Sequence, residues 1–198
     1  MSRTARWAVT KDNTTRAKGQ WGNGNRKGVG AKVRATVGKR EGYVHRTFSK
    51  FEFDQSDIGV LLKAELVLHV VSGDYDPGPL SRITVHRLTK SFSEGSGTSW
   101  NGSDATSPAV ASGRSSYKNL SGIVTGDEVR INITPMVGPW LSKSKRWMDG
   151  QSEKAGWGKS NHGLRLKSKE DGSDAWMYGF QFATRENTDA AKHPYIEV

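Results

Sequence analysis

Cysteine is missing from this 198-residue chain. That excludes a disulfide framework and any thiolate metal site, so stability has to come from packing and hydrogen bonds. Apolar residues are scarce at 34%, and no run approaches the length needed to span a membrane. The opening stretch MSRTARWAVTKDNTTR is basic but has no apolar segment behind its charges, so no secretory signal is expected. The chain is expected to be made soluble in a cytoplasm, or to be a fragment or a viral component released by lysis. Also missing are a G-x-S-x-G nucleophile turn, a phosphate-cradling loop and an H-E-x-x-H zinc helix. His45, His69, His86, His162 and His193 show no ligand spacing, and His69 and His86 fall within strand patterns where cross-strand packing is the expected use. Loop carboxylates at Asp74, Asp76, Glu170, Asp171 and Asp174 have the chemistry for calcium. The short DGSD run is no calcium-loop signature, however, so neither a cofactor nor a structural metal is expected.

What the chain does have is glycine, at 23 residues, and seven tryptophans. Glycine is costly inside helices and cheap in turns, so this composition favours many turns and a thin core. Period-two alternation then supplies the strands. Ala64, Leu66, Leu68 and Val70 alternate with Glu65, Val67, His69 and Val71, and Val129, Ile131 and Ile133 alternate with Arg130, Asn132 and Thr134. Ile83 and Val85, Leu164 and Leu166, and Phe180 and Phe182 repeat the pattern. GKREG (38–42) reads as a hairpin between 33–37 and 43–53. Residues 72–81 and 93–108 read as loops. Only ITPMVGPWLSK suggests a helical turn, near 135–142, with Thr134 as its cap and Pro135 at its first position. The reading is an all-β, jelly-roll-type sandwich of antiparallel strands, with an up-and-down barrel as competitor. A basic segment with a first strand or loop occupies 1–30, and one domain occupies 31–198.

Charge is unevenly placed. The net charge is +10, and residues 1–50 hold 13 Lys and Arg against Asp12 and Glu41, or 13 − 2 = +11. A positive field of this kind attracts nucleic acid, anionic polysaccharide or an acidic neighbouring subunit. No nucleic-acid motif accompanies it, so sequence-specific nucleic-acid binding is not expected.

Five segments, YVHRTFSKFEFDQSDIG, KAELVLHVVSG, ITVHRLTKSFSEGSGTSWN, RINITPMVGPWLS and YGFQFATRENTDAAKHPYIEV, follow one another in an order that resembles the DNRLRE-type domain. This is a β-sandwich module related to carbohydrate-binding modules. Its pattern runs from a strand ending in KFD, through V-x-V-x-R-V-x-x-x-W-x-E and TWN, to a D-V-T-x-x-V-x-x-W turn and a closing F-x-S-R-E … P-x-L-x-V. The resemblance covers the chain from about Trp7 onward. It implies a non-catalytic jelly roll of the kind found in secreted bacterial surface proteins and phage tail proteins. The chain departs from the pattern twice. Phe92 replaces the usual tryptophan, and 143–163 forms a longer, inserted loop.

The resemblance makes Arg185 and Glu186 architectural, and it places Trp100 and Trp140 under loops as core aromatics. Asp189 and His193 lie near that pair without fixed geometry for acid–base work. Trp21, Trp147 and Trp157, with Arg26 and Lys27, are the candidate ligand- or partner-binding residues, since an indole offers large area at small entropy loss. The expectation is a virion component of a phage, in the tail or on the capsid, made in the host cytoplasm. Its partners would be other virion proteins, copies of itself, and an anionic polysaccharide, with no membrane. An extracellular carbohydrate-binding module of a polysaccharide-degrading or cell-surface system is the alternative, and an enzyme is not expected.

Overall fold

The computed structural model describes residues 4–18, 34–40, 43–56, 58, 60–72, 82–94, 110–141, 146–147, 158–168 and 180–198. Its strands are β1 (Arg6–Lys18), β2 (Arg34–Arg40), β3 (Tyr43–Phe51), β4 (Val60–Leu61), β5 (Glu65–Ser72) and β6 (Arg82–Leu88). They continue with β7 (Val110–Asn119), β8 (Glu128–Asn132), β9 (Arg146–Trp147), β10 (Leu164–Ser168), β11 (Phe180–Ala183) and β12 (Tyr195–Glu197). The fold is all-β and sandwich-like. No helix among the described residues is long and apolar enough to cross a membrane.

Ten strands join in the order β1-β12-β5-β11-β2-β3-β10-β6-β7, with β8 on the free side of β5. Because β1 also pairs with β3, the path β1-β12-β5-β11-β2-β3 closes on itself. Two strands make that closure possible by serving both layers. Arg6–Ala8 pair with β12, whereas Val9–Lys18 pair with β3, and the register slips between Val9 and Lys11. β11 joins β2 to β5; its pairing with β2 is continuous, whereas Gln181 pairs with Ser72 and Phe182 with Val70, so the extra residue there, Val71, lies in β5. A bulge adds a residue and bends its strand, which lets one strand change layers. Among the described strands only β2–β3 and β6–β7 pair with their sequence neighbours, which excludes the up-and-down barrel.

Alternation set the inner faces as the sequence pattern predicts. Leu66, Leu68 and Val70 from β5 and Val129 and Ile131 from β8 meet Ile83, Val85, Leu164, Leu166 and Phe182 in one buried cluster. A second, smaller cluster lies apart from it, where Phe48 and Leu88 pack with Phe92. Phe92 therefore covers the outside of a sheet and is not part of the main core.

The helical turn is shorter than expected and differently capped. α1 (Thr134–Val137) is followed by a 3-10 turn, Gly138–Trp140, and the cap position belongs to Ile133. Thr134 is not the cap. Its hydroxyl donates to Asn132 Oδ1 at 2.8 Å and accepts from the Ala64 backbone N–H at 2.9 Å, tying the turn to the start of β5. Trp140 is 2% exposed. Its ring packs edge-on against Phe53 at 5.8 Å, which packs in the same way against Trp7 at 5.1 Å. The predicted hairpin is tighter than its sequence suggested, because β2 runs to Arg40 and pairs it with Tyr43.

Candidate functional site

The corner between β11 and β12 gathers charges from three distant parts of the chain. Thr10 is the residue skipped where β1 changes layers. A skipped residue leaves its backbone groups outside the ladder, and these need partners. Its hydroxyl donates to the Lys50 carbonyl at 3.2 Å, and its own carbonyl accepts from Arg185 Nη1 at 3.1 Å. The same guanidinium holds Glu94 at 2.9 Å and Glu186 at 2.9 Å. Arginine suits this junction because its planar fork offers five donors in fixed directions.

Behind the guanidinium sits Asp12, 3% exposed. Its Oδ2 accepts from the Arg185 backbone N–H at 3.1 Å, and its own N–H donates to Glu94 Oε1 at 3.2 Å. Burial pushes the Asp12 carboxyl up to about 6. The Arg185 N–H bond and the Arg185 charge oppose that rise, while Glu94 and Glu186 add to it. Asn13 Nδ2 donates to the Ser93 carbonyl at 2.8 Å, and Lys11 Nζ to the Phe92 carbonyl, so the segment after β6 is fastened to β1 three times over. A carboxyl titrating near 6 lies in the range of acid–base catalysts, but such a group must reach a substrate. Asp12 is enclosed and already accepts a backbone N–H. The arrangement is a clasp between three distant segments.

Asp189 and His193 belong to the next turn. Asp189 accepts from Ala191 N–H at 3.1 Å and pairs with Lys192 at 2.9 Å, which holds its carboxyl below the usual range. His193 Nε2 meets the Asn187 carbonyl at 2.7 Å. Each serves the local chain path.

On the outer side of β12, β5 and β8 lies a second network. Arg130 contacts Glu128 at 2.6 Å, Glu65 at 3.4 Å, and Glu197. It holds the Glu197 carboxyl below its ordinary value, and the Arg130 guanidinium is itself raised. Arg6 lies 4.4 Å from the Tyr195 ring centre, and His69 approaches Glu128, its cross-strand partner, at 3.4 Å. Strands already paired through their backbones are thereby paired again through their side chains.

Arg185 and Glu186 thus sit together in the clasp, and Trp140 sits in the core. Trp147 is described only along its backbone, where Leu61 and Trp147 form a parallel bridge between β4 and β9. Trp21, Arg26, Lys27, Trp100 and Trp157 lie outside the described residues, as do Asp74, Asp76, Glu170, Asp171 and Asp174. Among the described residues no cluster of His, Asp and Glu could hold a metal ion.

Sequence reasoning missed Asp12, Thr10 and Glu94. One signal was available: Glu94 and Arg185 fall in the two stretches compared with the W-x-E and R-E patterns of the resemblance, and the fold brings them together. No family model matches the chain, and no curated protein matches it.

Proposed function

We propose that this chain is a non-catalytic β-sandwich of DNRLRE type that works by assembly, as a component of a phage virion in the tail or on the capsid. The observation that carries this reading is the clasp. Glu94 and Arg185, one from each of two motifs of the resemblance, form an ion pair across 91 residues of sequence. The polar constellation that a catalytic reading would need is engaged in holding strands. The rims are then the surfaces left for contact with neighbours. Val60 and Leu62, on either side of buried Leu61, are 46% and 60% exposed beside the β4–β9 pairing. Immunogold electron microscopy of purified particles should find the protein at regular positions. Particles that lack it overturn the proposal.

A carbohydrate-binding module acting outside the cell is the second reading, and the β4–β9 bridge favours it. That bridge anchors the inserted segment carrying Trp147 beside the exposed Val60 and Leu62. Affinity electrophoresis in polysaccharide gels checks it: substitution of Trp21, Trp147 and Trp157 by alanine should abolish retardation.

A further inference from the structure

The sheet β3-β10-β6-β7 carries a pattern that the linear charge distribution conceals. Leu164, Leu166, Ile83 and Val85 point into the core. Successive side chains alternate faces, so Arg165, Lys167, Arg82 and Thr84 stand on the outer side. Register extends that side across the sheet. Arg165 is paired with Phe48 on β3 and with His86 on β6, and Lys167 is paired with Thr84, which is paired with Tyr117. Arg46 and Lys50 flank Phe48 at two-residue spacing and share its face. Five cations from three strands therefore stand on one side of the sheet, where Phe92 covers Phe48 between Arg46 and Lys50, and β3, β6, β7 and β10 themselves contain no Asp or Glu.

An aromatic ring stands on the same surface. Tyr117 is 69% exposed, and the Arg82 guanidinium lies 5.8 Å from its ring centre. Arg46, Arg165 and Lys167 are half-buried and engaged within the molecule, which limits the rotamer freedom they would lose on binding.

We propose that this face binds single-stranded nucleic acid without sequence preference, with phosphates on Arg46, Arg165, Lys167 and Arg82 and a base stacked on Tyr117. Cations tracking a backbone beside a stacking ring are the general requirement for such binding. A duplex fits poorly, since its stacked bases are closed to Tyr117. An acidic polysaccharide would satisfy the cations. It offers no planar π face, however, to an adjoining guanidinium and phenol, both of which stack on bases. The proposal goes beyond the assembly reading and is tested without it.

Fluorescence anisotropy of the whole chain with a labelled pyrimidine oligonucleotide of about 20 residues, a length covering typical single-strand sites, provides the test. Tyr117→Ala should weaken binding by about tenfold, the loss of one stacked base, and Tyr117→Phe should retain it. Arg82→Gln with Lys167→Gln should flatten the slope of log affinity against log salt by about 1.4, two lost phosphate contacts. Lys63→Gln, beside β5 in the other layer, should change nothing. Circular-dichroism melts confirm that each variant is folded before it is compared. Unchanged affinity in Tyr117→Ala, equal losses in Lys63→Gln, or tighter binding of a sulfated or carboxylated polysaccharide than of the oligonucleotide would overturn the proposal.

Discussion

Asp12 is the residue at which burial and charge conflict most directly. Its carboxyl titrates near 6 in the folded chain against an ordinary 3.8, so the fold binds its proton more tightly than the unfolded chain does. The stabilisation is complete below the unfolded value and disappears as pH rises through about 6. The difference amounts to about 3 kcal/mol. Glu197 and Asp189 have lowered values and act in the opposite sense, losing their contribution as pH falls. Comparison with Asp12→Asn separates the two effects. Asparagine still offers an acceptor to the Arg185 N–H but carries no charge to desolvate. Denaturant titrations should show the variant more stable than the parent above pH 6, with the gap closing between pH 6 and 4. Parallel curves across that window would show that the carboxyl titrates normally.

At the scale of elements, the bulge in β1 and the corner after β11 form one mechanical unit, because Arg185 fills the carbonyl that the bulge releases. Arg185→Lys keeps the charge yet cannot reach Thr10, Glu94 and Glu186 together, since an ammonium lacks the fork. Arg185→Ala removes the cation that the described residues place on the carboxylates of Glu94 and Glu186, beside buried Asp12. The side chains are about one-third exposed, so solvent screening holds the expected cost to about 1–3 kcal/mol. Lysine should recover only part of it. The alanine variant should also move the Asp12 titration upward, readable in carboxyl chemical shifts, because both the guanidinium charge and its screening of Glu94 are gone. The strands joined by this unit were unequally legible. β5, β6, β8, β10 and β11 announced themselves because each presents one apolar face to the core. β1 did not: Asp12, Asn13 and Thr14 are buried yet polar, satisfied by partners from other segments. The clasp was hidden for the same reason. Asp12 and Arg185 stand 173 positions apart, and no local spacing encodes that meeting.

For the whole molecule, the closed path of strands changes the meaning of the basic first quarter. Read linearly, residues 1–30 are a basic segment with a first strand or loop, set before a domain spanning 31–198. In the fold, β1 joins β12 to β3, and Trp7 and Val9 enter the main core. Loss of a buried tryptophan alone costs about 3–5 kcal/mol, against a total stability of about 5–15 kcal/mol for a typical domain. Removal of β1 would also strip the ladder from β12 and β3 and leave two edges open, which invites association. A chain spanning 31–198 is therefore expected to lose its cooperative thermal transition, bind a hydrophobic dye and aggregate. A peptide of residues 1–18 supplied in trans should restore a sharp melt, since it carries both registers and both core side chains. If the shortened chain instead melts sharply, within a few degrees of the parent as a surface change would, strand closure through β1 adds little. The sheet would then be held by its two layers alone.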